Sequence, residues 1–366
     1  MMKSCYIHIP FCQTICSYCD FCKQFYHKEK VKDYLLKLKE EILRDYKGEV
    51  LDTIYIGGGT PTCLSLKELE ILFDILQVFK KSSSCEFTME ANCETLTKEK
   101  LICMRNHGVN RLSIGVESVQ PKQIKYLERN HSKEDISRGI FLAREVGFQN
   151  INVDLIYALS FESMEDLKRD LDFVVSLDVE HISTYSLMIE DHTKLGIQQV
   201  KPISDEMDRD MYYFIVDFLK KHGYQHYEIS NFAKEGYFSK HNLCYWHNEE
   251  YYGFGLGAAS YVSHVRSCNT RSPLHYPNKK IEVENLNQSE REEYEVLLNL
   301  RLQEGLSLER FKNKYGKDLF DCFAIKKLIE EGWLLEENGF IRIPEKYWYV
   351  SNEILVKILQ KKIELC

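Results

Sequence analysis

The chain has 366 residues, 44% hydrophobic and 28% charged, a balance of ordinary globular proteins that excludes a collagen, a disordered tail protein or a small disulfide scaffold. Its 48 Lys and Arg against 56 Asp and Glu leave a net charge of −8, which argues against nucleic acid as the main partner. Thirteen cysteines are an odd number, so they cannot all pair, and they fall far short of the density of a disulfide framework.

At about 150 residues per domain, two domains are expected. The first twelve residues, MMKSCYIHIPFC, carry no apolar run of signal-peptide length. No stretch approaches the ~18 apolar residues of a membrane span. The expected compartment is the reducing cytoplasm, where thiolates ligate metals or do chemistry.

In chain order, short apolar runs at 5–9, 53–56, 86–90, 111–116, 151–156 and 181–187 read as strands. Amphipathic helices are expected between them at 28–46, 66–79, 98–107, 136–146 and 164–177. Six βα units in succession predict an α/β fold: a (β/α)6 partial barrel over residues 1–265, with an open doubly wound sheet as the alternative. In either fold the loops after the strands carry the site. A further helix is expected at 205–222. Residues 266–288, with their prolines and asparagines, read as a linker. From Ser289 the pattern changes. Helices are expected at 291–302, 308–314 and 322–331, followed by two strands around Asn338-Gly339, which together suggest a small winged-helix-like α+β domain over 289–366. Residues 287–366 hold 13 basic and 15 acidic side chains, a net of 13 − 15 = −2, so this module is expected to be structural or to dock a partner rather than to bind DNA.

The dominant motif is HIPFCQTICSYCDFC, in which Cys12, Cys16 and Cys19 stand as C-x3-C-x2-C. Thirteen randomly placed cysteines give this spacing roughly 0.016 times per chain. Three thiolates on one loop suit three irons of a [4Fe–4S] cluster and leave the fourth open. A structural zinc site needs a fourth ligand, for which Cys22 is the nearest candidate. Further along, Gly57-Gly58-Gly59-Thr60-Pro61 follows a strand, Glu90 ends the next, and the segments Asn110–Ser118, Asn152–Tyr157, Tyr227–Ala233, His241–Trp246 and Gly253–Ser260 carry dense polar and glycine patterns.

These motifs together resemble the radical S-adenosylmethionine (SAM) superfamily, and within it the anaerobic coproporphyrinogen III oxidase-like branch. The likeness covers nearly the whole chain. It implies that Cys12, Cys16 and Cys19 ligate a [4Fe–4S] cluster. It further implies that Tyr6, Tyr18, Gly57, Gly58, Gly59, Thr60, Glu90, Glu117, Arg129 and Asp154 line the SAM sites. Within the branch the sequence is similar to HemW-type heme chaperones. Only 11 residues precede Cys12, Phe21 stands where the oxidases have a further cysteine, and the HNLCYW segment resembles a heme-binding motif with His241 as heme ligand. The implied cofactors are the cluster, SAM and heme. The implied partners are heme, heme-receiving client proteins and a reductant such as flavodoxin or ferredoxin, with room for peripheral membrane association and no nucleic acid. The alternative is an oxygen-independent coproporphyrinogen III oxidase-like enzyme, or a related methyltransferase, using a 5′-deoxyadenosyl radical. Two departures stand out. Glu117 replaces the branch's usual Gln, and Ala158–Ser163 replaces its GLPGQT loop.

Overall fold

In the computed structural model, which describes residues 3–360, the six expected strands form: β1 (Ser4–Ile9), β2 (Val50–Gly58), β3 (Lys80–Asn92), β4 (Arg111–Glu117), β5 (Ile151–Tyr157) and β6 (His181–Ser186). They lie side by side in chain order and are parallel throughout. A doubly wound sheet reverses direction at a switch point. These six strands keep one order with no switch point among them, the arrangement of a partial barrel.

The pleat explains which residues face where. In β2, Ile54 and Ile56 join the buried apolar layer under the helices. Tyr55 and Gly57 alternate with them and face Glu90 across the barrel interior. The outer layer is closed by α1 (Lys28–Asp45), α2 (Leu66–Leu76), α3 (Lys98–Asn106), α4 (Lys133–Glu145), α5 (Met164–Ser176) and α6 (Asp205–Lys221). Ser65, Ser132 and Ser163 each start a helix with a full capping box, closed by Glu68, Asp135 and Asp166.

Beyond β6 the sheet continues with β7 (Gln225–Glu228) and β8 (Asn231–Ala233), both antiparallel. On its other side β9 (Tyr251–Phe254) runs parallel to β1. Here the structure corrects the expected linker. β10 (Ala259–Val262) is followed by β11 (Val265–Asn269) and β12 (Lys280–Asn285), so residues 266–288 extend the same sheet. The asparagines and tyrosine of this stretch anchor it. Asn269 Nδ2 and Tyr276 Oη both donate, at 2.6 Å, to the carboxylate of buried Glu41 on α1.

After α7 (Lys240–Trp246), the C-terminal module has α8 (Gln288–Asn299), α9 (Leu308–Tyr315) and a wing, Leu335–Glu337 with Phe340–Arg342. Asn338 and Gly339 take φ of 51° and 81°, as a two-residue hairpin turn requires. The helix expected over 322–331 is broken. Phe323 is extended and fully buried, and separate helical pieces lie on either side at Leu319–Cys322 and Ile325–Glu330.

Candidate functional site

A cavity of about 740 Å³ opens at the ends of the parallel strands, where a barrel places its chemistry. After β1 the chain forms a two-residue bridge, Phe11–Cys12 with Gln24–Phe25, which closes the loop between them. Cys12, Cys16 and Cys19 on this loop all line the cavity. Cys12 is only 6% exposed and the other two are half-buried. Thr60 Oγ1 lies 3.8 Å from Cys12 Sγ, and Arg129 Nη1 lies 3.8 Å from Cys16 Sγ. Burial pushes the Cys12 thiol up to about 11, against a smaller downward pull from the Thr60 hydroxyl.

Cys22 turns away from this cavity. Its Cβ packs where a side chain on Gly257 would stand, and its Sγ lies 4.0 Å from the Arg271 carbonyl. It is therefore apart from the other three thiols, against a four-cysteine zinc site. A cubane cluster spreads its ligands over three different irons, and a loop bearing three thiols at one cavity wall suits that geometry.

The glycine turn is packed to the limit. A Cβ on Gly59 would sit 2.8 Å from Cys12 Sγ and 2.7 Å from the Phe11 carbonyl oxygen. A Cβ on Gly57 would meet the Glu90 carboxylate at 2.6 Å. Gly58, at φ 118°, donates its N–H to Glu90 Oε2 at 2.9 Å, and Tyr55 Oη donates to Oε1 at 2.9 Å. Burial raises the Glu90 carboxyl to about 7 despite these donors. Asn92 Nδ2 fixes Thr60 through its hydroxyl at 3.1 Å.

Glu117 stands at φ 57° beside a bulge in the β4–β5 pairing. Its carboxylate pairs with Arg129 at 3.1 Å and accepts from Tyr18 Oη at 3.1 Å. Arg129 also donates to Gly115 O at 2.8 Å and Asn92 Oδ1 at 3.2 Å. Tyr18 and Cys16 belong to one loop, so these contacts tie the cysteine loop to β4. Burial pushes Glu117 up to about 7, opposed by the Arg129 charge. Asp154 accepts from Asn152 at 2.8 Å and Ser113 at 3.2 Å, and burial raises its carboxyl.

Of the residues expected from sequence, the structure brings Cys12, Cys16, Cys19, Tyr18, Gly58, Gly59, Thr60, Glu90, Glu117, Arg129 and Asp154 to one cavity, with Gly57 behind Glu90. Two lie elsewhere. Tyr6 is inside the barrel, its hydroxyl 3.0 Å from His8 Nδ1 and its ring stacked on Tyr55. His241, on the helix Lys240–Trp246, is 1% exposed. Its Nδ1 is 2.8 Å from Thr53 Oγ1, its Nε2 is 2.7 Å from Tyr245 Oη, and its ring stacks on Tyr55. Thr53 lies at the opening of β2, so this histidine sits away from the strand-end mouth. In this arrangement both ring nitrogens are hydrogen-bonded to hydroxyls and the ring lies apart from the cavity.

The sequence reading missed the far wall of the cavity: Tyr185, Met188, Arg301, Trp348 and Tyr349. Trp348 and Tyr349 belong to the C-terminal module, which was expected to be structural or to dock a partner. No periodicity or motif flags them, because they converge from separate elements.

The altered loop after β5 is unusual in its charge. Glu162 is buried, with Oε2 accepting from the Leu159 N–H at 3.1 Å, and burial pushes it up to about 8 from its ordinary 4.5. The folded chain therefore keeps this proton while the unfolded chain loses it, and stability falls as pH rises from about 4.5 to 8. The expected result is that Glu162→Gln raises the melting temperature clearly at pH 9 and little at pH 5, as thermal melts across pH would show.

Comparison with known proteins agrees with this geometry. The model of the radical SAM superfamily matches residues 6–174, and that of the HemN C-terminal domain matches residues 286–350. The heme chaperone HemW of Bacillus subtilis is 38% identical, over 96% of this chain and 98% of that protein. The heme chaperone HemW of Lactococcus lactis is 37% identical, over 98% and 97%. Among solved structures, the coproporphyrinogen III oxidase HemN from Escherichia coli superposes with a TM-score of 0.85 at 21% identity, over 97% of this chain and 90% of that one, a likeness of fold. With identity at this level along essentially its full length, the chain belongs to the HemW heme chaperone family of the radical SAM superfamily.

Proposed function

We propose that the protein is a heme chaperone: it binds heme and passes it to client proteins, using a radical SAM framework that holds a [4Fe–4S] cluster and SAM. The observation that carries this reading is the end-to-end similarity to HemW proteins, joined to a three-cysteine loop at the mouth of a large cavity. The residues present fit a cluster. Three thiols share one cavity wall, and Gly59 leaves room at Cys12 for nothing larger than hydrogen.

In this reading Cys12, Cys16 and Cys19 hold the cluster. Glu90 and Asp154 are the acidic acceptors along the SAM wall. Gly58, Gly59 and Thr60 bring backbone close to the ligand. Arg129, buried beside Cys16, offers the positive charge. When bound, the cluster and SAM supply one-electron chemistry. A flavodoxin or ferredoxin in the cytoplasm is the reductant that suits it. Among the described residues no helix is long and apolar enough to cross a membrane.

The test is anaerobic reconstitution followed by heme titration and transfer to a heme-depleted acceptor. A saturable Soret shift with heme appearing in the acceptor is expected. Absence of heme binding, or conversion of coproporphyrinogen III to a decarboxylated product, overturns the reading.

A further inference from the structure

Beyond the residues assigned to the cluster and SAM, the cavity has a further stretch of lining. It is built by Tyr185 and Met188 after β6, by Tyr212 on α6, by Arg301 after α8, and by Trp348 and Tyr349 of the C-terminal module. Two of these side chains are large, apolar and uncovered: Met188 is 71% exposed and Tyr185 43%. Covering such surface is favourable at about 25 cal/mol per Å².

Arg301 is the charged group on this wall. It is half-buried, and among the described residues it has no ion pair. Its Nη2 donates to Asn352 Oδ1 at 2.8 Å. Buried Glu228 lies within electrostatic range, but its carboxylate is taken up by Asn231 and by the Ser230 N–H. The other carboxylate on this side, Asp208, accepts from Ser186 and Tyr349 hydroxyls at 3.0 and 3.3 Å. An arginine without an ion-pair partner is the natural partner of a carboxylate. An apolar, aromatic slot with one unpaired guanidinium matches a flat macrocycle that carries propionates.

We propose that heme binds against this wall, with its ring covering Met188 and Tyr185 beside Tyr349 and one propionate on Arg301. The proposal rests on the heme chaperone reading and assigns that reading a place. It puts heme and the cluster in one cavity of about 740 Å³, in the upper part of the ~300–1,000 Å³ range of ligand pockets. It also joins the C-terminal module to the function, because that module supplies part of the heme wall. His241 has no part in it, since its ring is locked to Thr53 and Tyr245 away from this wall.

The test is Soret titration of cluster-reconstituted protein, comparing wild type with Arg301→Glu, Arg301→Lys, Met188→Asp and His241→Ala. Loss of a charge-assisted bond predicts heme affinity weakened about tenfold or more in Arg301→Glu, with partial rescue in Arg301→Lys. Met188→Asp, at an exposed position that folding does not depend on, is expected to weaken heme as well, while SAM binding stays at the wild-type level in all the wall variants. His241→Ala is expected to lower the melting temperature and leave the Soret position in place. Wild-type heme affinity in both Arg301→Glu and Met188→Asp overturns the placement. Failure of the wild type itself to bind heme instead overturns the chaperone reading.

Discussion

Alanine at Cys12, Cys16 or Cys19 is expected to abolish the brown absorbance near ~400 nm and to cut iron content to background after reconstitution, whereas Cys22→Ala keeps both. The reasoning is geometric. Each of the first three thiols lines the cavity, and none has a substitute within the loop. Cys22, three residues further on, packs toward Gly257 and Arg271 on the other side of the chain. Removing one thiol leaves an iron without its protein ligand. Colorimetric iron and sulfide assays read the outcome directly. Full iron content in any of the three variants, or loss of iron in Cys22→Ala equal to that in Cys19→Ala, refutes the ligand assignment.

The second large effect is expected at Glu117. Replacing it with Ala strips the buried Arg129 of its carboxylate partner and also frees Tyr18 from the acceptor that ties the cysteine loop to β4. Removing one member of a buried ion pair costs about 3–5 kcal/mol, because the remaining charge stays desolvated. Chemical denaturation of the cluster-free protein should show a loss of that size. Glu117→Gln, which restores the residue usual in the branch, retains an acceptor for Tyr18 but not the charge. It is expected to lose less stability than Glu117→Ala. It should also bind SAM more tightly than wild type, because the ligand's carboxylate no longer competes with Glu117 for Arg129. Isothermal titration with SAM separates the two effects. Equal SAM affinity in Glu117→Gln and wild type removes the competition argument.

Much of the barrel was legible because its signals are local. A strand buried on both sides has to be rich in β-branched and aromatic residues, and all six barrel strands lie within a few residues of where their apolar runs placed them. Ser-x-x-Glu or Ser-x-x-Asp capping boxes mark three helix starts within four residues of chain. The broken helix around Phe323 was not legible. Its hydrophobic spacing suits a helix, but burying the Phe323 ring in the core takes an extended backbone there. The 266–288 stretch misled for the opposite reason. Its composition is that of a loop, and its place is set by distant partners, Glu41 above all.

The same division holds at the site. The cysteine spacing, the glycine turn and the acidic strand ends announced a cluster and SAM wall by themselves, since chemistry there depends on residue types at short fixed intervals. Whether a given side chain reaches that wall was decided only by the fold. His241 carries a suggestive motif yet points into the barrel, where Thr53 and Tyr245 saturate both nitrogens. Arg301, Trp348 and Tyr349 carry no motif yet meet at the cavity, because the chain after α8 folds back over the barrel mouth. The sequence alone determined the cluster loop, the order of strands and the family. Only tertiary structure decided which thiol stands apart, which histidine is sealed and which wall is left open, because burial and pairing are properties of residues far apart in the chain.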